Sequence, residues 1–231
     1  MTTVLVCGLP ATGKTTAARR VAKSLGAENL STDVVRREIL EEATLEEVLR
    51  SETPLRFNLQ KVFDAQEEIP ERFQRLIQEQ RHLVYDAMLD RARKLVLGGR
   101  DVILDGTFYK RSLRERVYGI AREAGAKVYV IECECPEEIV LERLKRRRMK
   151  PDAASYVDKM KIYFAVREKF EDPRGDGMPL IAYNTHSGRV TAYNIEEGDE
   201  GAKTLVRILK ESKRAPVREG RRPSRGQNFS V

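Results

Sequence analysis

The stretch VLVCGLPATGKTT, residues 4–16, decides the reading of the chain. An apolar run ends in Gly8, and G-x-x-x-x-G-K-T then spans Gly8 to Thr15 before a helix-prone segment. This is the P-loop pattern: glycines let backbone N–H groups wrap phosphate oxygens at a helix start. In that pattern Gly8, Ala11, Thr12, Gly13, Lys14, Thr15 and Thr16 hold the phosphates of ATP or GTP. The Lys14 amine reaches the β- and γ-phosphates, and the Thr15 hydroxyl ligates Mg²⁺.

Outward from that stretch, short β-rich runs alternate with helical ones, which predicts a parallel sheet with helices on both faces. Strands are expected at residues 2–7, 29–31, 101–104, 127–132, 180–183 and 189–195. Helices are expected at 14–25, 33–42, 75–97, 113–124, 136–147, 152–170 and 201–210. Within 152–170, Tyr156, Met160, Phe164 and Phe170 form a stripe read as core. Residues 43–74, with Pro54 and Pro70 and the aromatics Phe57, Phe63 and Phe73, read as an insertion, either an acceptor-binding region or a helical cap. Residues 1–211 are expected to be one kinase-type domain, with 141–151 as a lid.

The 231 residues carry a net charge of +7, unevenly placed. Lys213, Arg214, Arg218, Arg221, Arg222 and Arg225 against Glu219 give residues 212–231 a charge of +5. That localises any attraction for an anionic partner such as RNA or tRNA to this basic segment, which is too poor in apolar residues to fold alone. A solvated end without a partner is the plain alternative. An odd cysteine count, with Cys7 in the first strand and Cys133 and Cys135 flanking Glu134, argues against a disulfide framework. No apolar run reaches the ~18 residues of a membrane helix, and the expectation is a soluble, cytoplasmic protein.

Three further blocks carry chemistry. In LSTDVVRREIL, residues 30–40, Asp33 falls at a helix N-terminus beyond the second strand, where open α/β sheets bind ligands. Arg36 follows one turn later on the same face. The carboxylate can orient an acceptor hydroxyl and take its proton, and the arginine can hold an anion. The helix dipole and Arg36 are expected to keep Asp33 ionised. Alternatively the pair is an N-cap with a neighbouring cation. In VILDGTF, residues 102–108, Asp105 closes a strand beside the P-loop and suits Mg²⁺; a plain Asp-Gly turn gives the same letters. In LERLKRRRMKP, residues 141–151, Arg143 and Arg147 share a helix face and can close over phosphates, unless they form a solvated helix end. After the strand at 180–183, Thr185 and the turn from His186 to Gly188 fall near the nucleotide or make an ordinary hairpin.

These blocks, in this order over roughly residues 2–186, resemble the P-loop kinase group of polynucleotide 5′-kinases, O-phosphoseryl-tRNA kinase, zeta-toxin-like kinases and AAA-labelled ATPases. The resemblance implies that Asp33 is the acceptor base and Arg36 an anion clamp. It further implies lid roles for Arg143 and Arg147, a metal role for Asp105, and substrate contacts from Thr107 and Arg114, the arginine nine residues after Asp105. It implies a P-loop NTPase three-layer sandwich around a five-stranded parallel sheet, order 2-3-1-4-5. The turn Asp105-Gly106-Thr107-Phe108 departs from the D-T-N form of polynucleotide kinases. Three functions follow: phosphate transfer to RNA or tRNA, the same transfer to a small metabolite, or an ATP switch without an acceptor.

Overall fold

The computed structural model of the protein describes residues 1–63, 66, 68–148 and 160–211. In chain order these residues form β1 (Thr2–Cys7), α1 (Lys14–Leu25), β2 (Glu28–Ser31), α2 (Thr32–Ile39), α3 (Leu45–Arg50), α4 (Leu59–Val62) and α5 (Glu71–Leu97). There follow β3 (Val102–Asp105), α6 (Arg111–Glu123), β4 (Lys127–Glu134), α7 (Glu137–Arg148), α8 (Met160–Glu168), β5 (Leu180–Asn184), β6 (Val190–Tyr193) and α9 (Glu200–Glu211).

The sheet order is β2-β3-β1-β4-β5-β6. The first five strands are parallel in the expected 2-3-1-4-5 order, and β6 adds an antiparallel sixth. The turn between β5 and β6 is too short for the crossover that a parallel strand needs. Asn184 Oδ1 accepts from the His186 and Ser187 amides, and Gly188 takes φ 79°, so this is a hairpin.

Each sheet face buries its own core. On one side α5 and α6 cover Leu5, Cys7, Leu104 and Val130. On the other, α1 and α9 cover Val4, Val6, Ile103 and Ile131. This alternation along β1 is the two-residue period of a strand covered on both faces. Its register aligns the strand ends that matter, with Val6 opposite Asp105 and Ser31 opposite the same Asp105.

The second helix stops at Ile39, short of residue 42, because Leu40 turns extended and the chain bridges Glu41 to Phe57. The insertion has a core of its own, in which Phe57, Phe63 and Phe73 join Val48, Leu59 and Ile77. A capping box between Thr44 and Glu47 starts α3. The buried Gln80 of α5 accepts from Leu59 N and donates to the Leu55 and Phe57 carbonyls, tying the insertion to that helix. The core stripe at 152–170 is corrected. Tyr156 lies outside the described residues, and Met160 and Phe164 are exposed. Among the described side chains of α8, Tyr163 is the buried one, against Val140, Leu144 and Ala11. Cys7 and Cys133 are buried, whereas Cys135 is half-buried beside that small cluster. Among the described residues no helix is long and apolar enough to cross a membrane.

Candidate active site

The P-loop bends through three left-handed residues: Gly8 at φ 134°, Ala11 at 61° and Gly13 at 100°. Gly8 also needs its missing side chain, because a Cβ there would overlap the Cys133 carbonyl of β4. Both features let the loop lie tight on the sheet edge. The Thr12 hydroxyl and the Lys14 amine both donate to the Leu9 carbonyl, at 2.8 and 2.7 Å. The Gly13 carbonyl accepts from Thr16 and Ala17 N, so α1 starts directly from the loop.

Beyond the loop opens a cleft of about 100 Å³. Ala11, Gly13, Lys14, Thr15 and Thr16 line one side, with Ser31, Thr32 and Asp33 from the β2–α2 junction and Asp105, Gly106 and Thr107 from the end of β3. The expected Lys14, Thr15, Asp33, Asp105 and Thr107 therefore meet in one place. Ser31, Thr32 and Gly106 join them without having been singled out. The signal for Ser31 was its position at the end of a strand whose neighbour ends in an aspartate.

Asp105 is 2% exposed. Burial pushes its carboxyl above the ordinary range, opposed by Lys14 and by hydrogen bonds from Thr15 and Ser31. Its Oδ2 has no hydrogen-bond partner among the described residues. A buried carboxylate oxygen without a donor, beside a threonine hydroxyl, is a hard-oxygen donor set suited to Mg²⁺.

Asp33 sits in the first turn of α2. Its carboxyl is raised, not held down as expected: burial outweighs Arg36, and the Asp105 charge raises it further. The physical reason is that loss of water costs the anion more than one guanidinium and the helix start return. A raised carboxyl is the better base. Arg36 is itself buried, 6% exposed, and is absent from the cleft lining, so the expected clamp on an acceptor is corrected to a charge beside Asp33.

Arg114 is also corrected. It is fully buried and forks onto Asp176 at 2.6 and 3.0 Å, while Nη1 donates to the Phe108 and Glu171 carbonyls. Its donors are used inside the protein, where they brace the loop that carries Thr107. That loop is pinned again where Phe108 N, on a residue at φ 43°, donates to Tyr85 Oη, and where Gly8 N donates to Thr107 O. Arg143 reaches the P-loop from α7, its Nη1 donating to Ala11 O at 3.1 Å and to Thr185 Oγ1 at 3.2 Å. Arg147 belongs to α7, and its side chain lies outside the described residues, as do Lys150 and Pro151 of the expected lid.

A family profile for an AAA domain, AAA_33, matches residues 4–163. The chain belongs to this AAA domain family. An uncharacterised protein of Mycobacterium tuberculosis H37Rv is 30% identical to the AAA_33 chain over 146 residues, 62% of this chain and 25% of that protein. The chain thus spans about a quarter of the length of the curated relatives it matches. Among solved structures, a candidate kinase of Chloroflexus aurantiacus superposes with a TM-score of 0.55 at 19% identity, covering 92% of this chain and 96% of that one. Chaetomium thermophilum Kti12 in complex with ADP-AlF3 gives 0.51 at 20%, covering 92% and 98%. A sugar kinase of Janibacter sp. gives 0.52 at 16%, covering 90% and 91%. The AAA_33 chain has the nucleotide-binding fold of P-loop kinases.

Proposed function

We propose that this AAA_33 protein is an ATP-dependent phosphotransferase that moves the γ-phosphate to a hydroxyl on RNA or tRNA. The observation that carries the proposal is that Lys14, Asp105 and Asp33 line the same narrow cleft. In this reading the amides of residues 11–16 and the Lys14 amine hold the phosphates, with Arg143 of α7 beside the loop. Thr15 and Asp105 would hold Mg²⁺, which neutralises charge on the phosphate oxygens. Asp33 aligns the acceptor O–H with the γ-phosphorus. As the new P–O bond forms and the bond to ADP breaks, the proton passes to Asp33. Positioning is most of the work in such a transfer, which suits a carboxyl carried on the first turn of α2 at the cleft.

An extended anionic acceptor is supported by the basic composition of residues 212–231. The second reading, the same transfer to a small metabolite, is favoured by the narrowness of the cleft and by the fold shared with the Janibacter sugar kinase. Incubation with γ-labelled ATP and separated RNA and metabolite pools distinguishes them by which pool takes label. Asp33→Asn should lower transfer by at least about 100-fold while ATP affinity stays within about twofold. Equal loss of binding and transfer would sink the role given to Asp33.

A further inference from the structure

Thr185 lies just beyond β5, on the far side of the P-loop from Asp33 and Asp105. Its Oγ1 donates to the Thr12 carbonyl at 2.5 Å and accepts from Arg143 Nη1 at 3.2 Å. Its own amide donates to Glu134 O at 2.9 Å, which fixes the residue to the end of β4. Its methyl lies so close over Gly13 that a Cβ there would stand 3.1 Å from it. The side chain is thus held on three sides and in turn holds one peptide group of the loop.

In a trans peptide the C=O and the following N–H point in opposite directions across one rigid plane. Whatever draws the Thr12 carbonyl outward to Thr185 therefore turns the Gly13 N–H inward, toward the cleft that Gly13 lines. Gly13 at φ 100° has no Cβ to resist rotation of that plane, so the backbone alone does not set it. Arg143 contributes by occupying an acceptor site of the hydroxyl, and of the two carbonyls open to the Thr185 proton Thr12 O is the nearer, at 2.5 Å against 3.3 Å for Glu134 O.

We infer that Thr185 is a positioning residue for phosphate binding: its hydroxyl, bridged to Arg143 of the lid helix, locks the Thr12–Gly13 peptide so that the Gly13 N–H is presented to nucleotide phosphate. The inference rests on the nucleotide site of the proposed function, though not on the identity of its acceptor. It assigns work to the β5 end that neither the P-loop pattern nor the acceptor-side aspartate explains.

The test is binding of a fluorescent ADP to the full chain, with the thermal midpoint of the nucleotide-free protein measured in parallel. Thr185→Ala should lose about three- to tenfold in affinity, the range of one net hydrogen bond, with its nucleotide-free midpoint close to that of the parent. Thr185→Ser, which keeps the hydroxyl and discards the methyl, should bind within about twofold of the parent. Thr185→Val, which keeps a methyl over Gly13, should fall with the alanine variant. Parent-like binding by the alanine and valine variants overturns the inference, as does equal weakening of the serine and alanine variants. A parent chain that binds no ADP removes the nucleotide site itself, a result that separates failure of the proposed function from failure of the lock.

Discussion

A carboxylate inside a sheet is costly, and Glu132 shows how the cost is carried. It lies on β4, 7% exposed, with Arg174 Nη2 at 3.0 Å and the Glu134 and Asp172 carboxylates around the same guanidinium. Burial pushes its carboxyl from 4.5 to about 7, against the pull of Arg174. The sign follows from proton counts. Between those two values the folded chain keeps a proton that the unfolded chain releases, so stability falls as pH rises through the window and stays low above it. Glu132→Gln should therefore raise unfolding stability by about 1–3 kcal/mol at pH 8, and the gain should vanish near pH 4. Urea titrations at the two pH values measure it; a gain that is the same at both would remove the titration as its cause.

At the scale of elements, the loop after β3 is shaped by contacts from distant parts of the chain. Arg114 of α6 and Asp176, in the short 3-10 turn Pro173–Asp176, form a pair with side chains 0% and 2% exposed, and Tyr118 Oη donates to the same carboxylate at 2.8 Å. Arg114→Met should cost about 3–5 kcal/mol, because the buried Asp176 would keep only the Tyr118 hydroxyl and the more distant Arg111, at 3.8 Å, against its charge. A denaturation midpoint within error of the parent would show that the pair contributes nothing. Adding Asp176→Leu should recover part of the loss, since removing both charges removes the unpaired one.

Arg114 also shows where the sequence stops being legible. Its place nine residues after Asp105 made it look like a substrate contact, yet its partner is 62 positions away and nothing local announces it. The place of Asp33 and Asp105 at the cleft was legible because each ends or follows a strand whose period is read directly. Their electrostatics were not, since the burial that raises both carboxyls is a property of the folded chain and not of the local letters. The same limit applies to β6: its apolar letters predict a strand, and its direction comes from the length of the turn before it. In α5 the helix buries Val84, Tyr85 and Met88 and leaves the neighbouring Leu83 46% exposed, a choice of face that apolar letters alone do not make.

For the molecule as a whole, charge placement separates the two acceptor classes. Residues 212–231 hold +5 of the net +7, leaving the rest close to balance. If the acceptor is RNA, deleting residues 212–231 should weaken RNA binding and flatten the slope of log affinity against log salt, since each phosphate contact adds about 0.7–0.9 to that slope. ATP affinity should be unchanged. Filter binding at several salt concentrations reads the slope, and an unaltered slope with unaltered transfer places the acceptor among small molecules.

The three thiols of this chain have unequal access to reagents. Cys7 and Cys133 are sealed in the two sheet cores, where burial drives both far from thiolate formation. Cys135 alone is half-open, and it abuts the cluster that joins Ala11 of the phosphate loop to α7 and α8. The native sequence thus carries its own attachment point for a spectroscopic reporter, at the seam between the phosphate loop and α7, with no cysteine to engineer in or out.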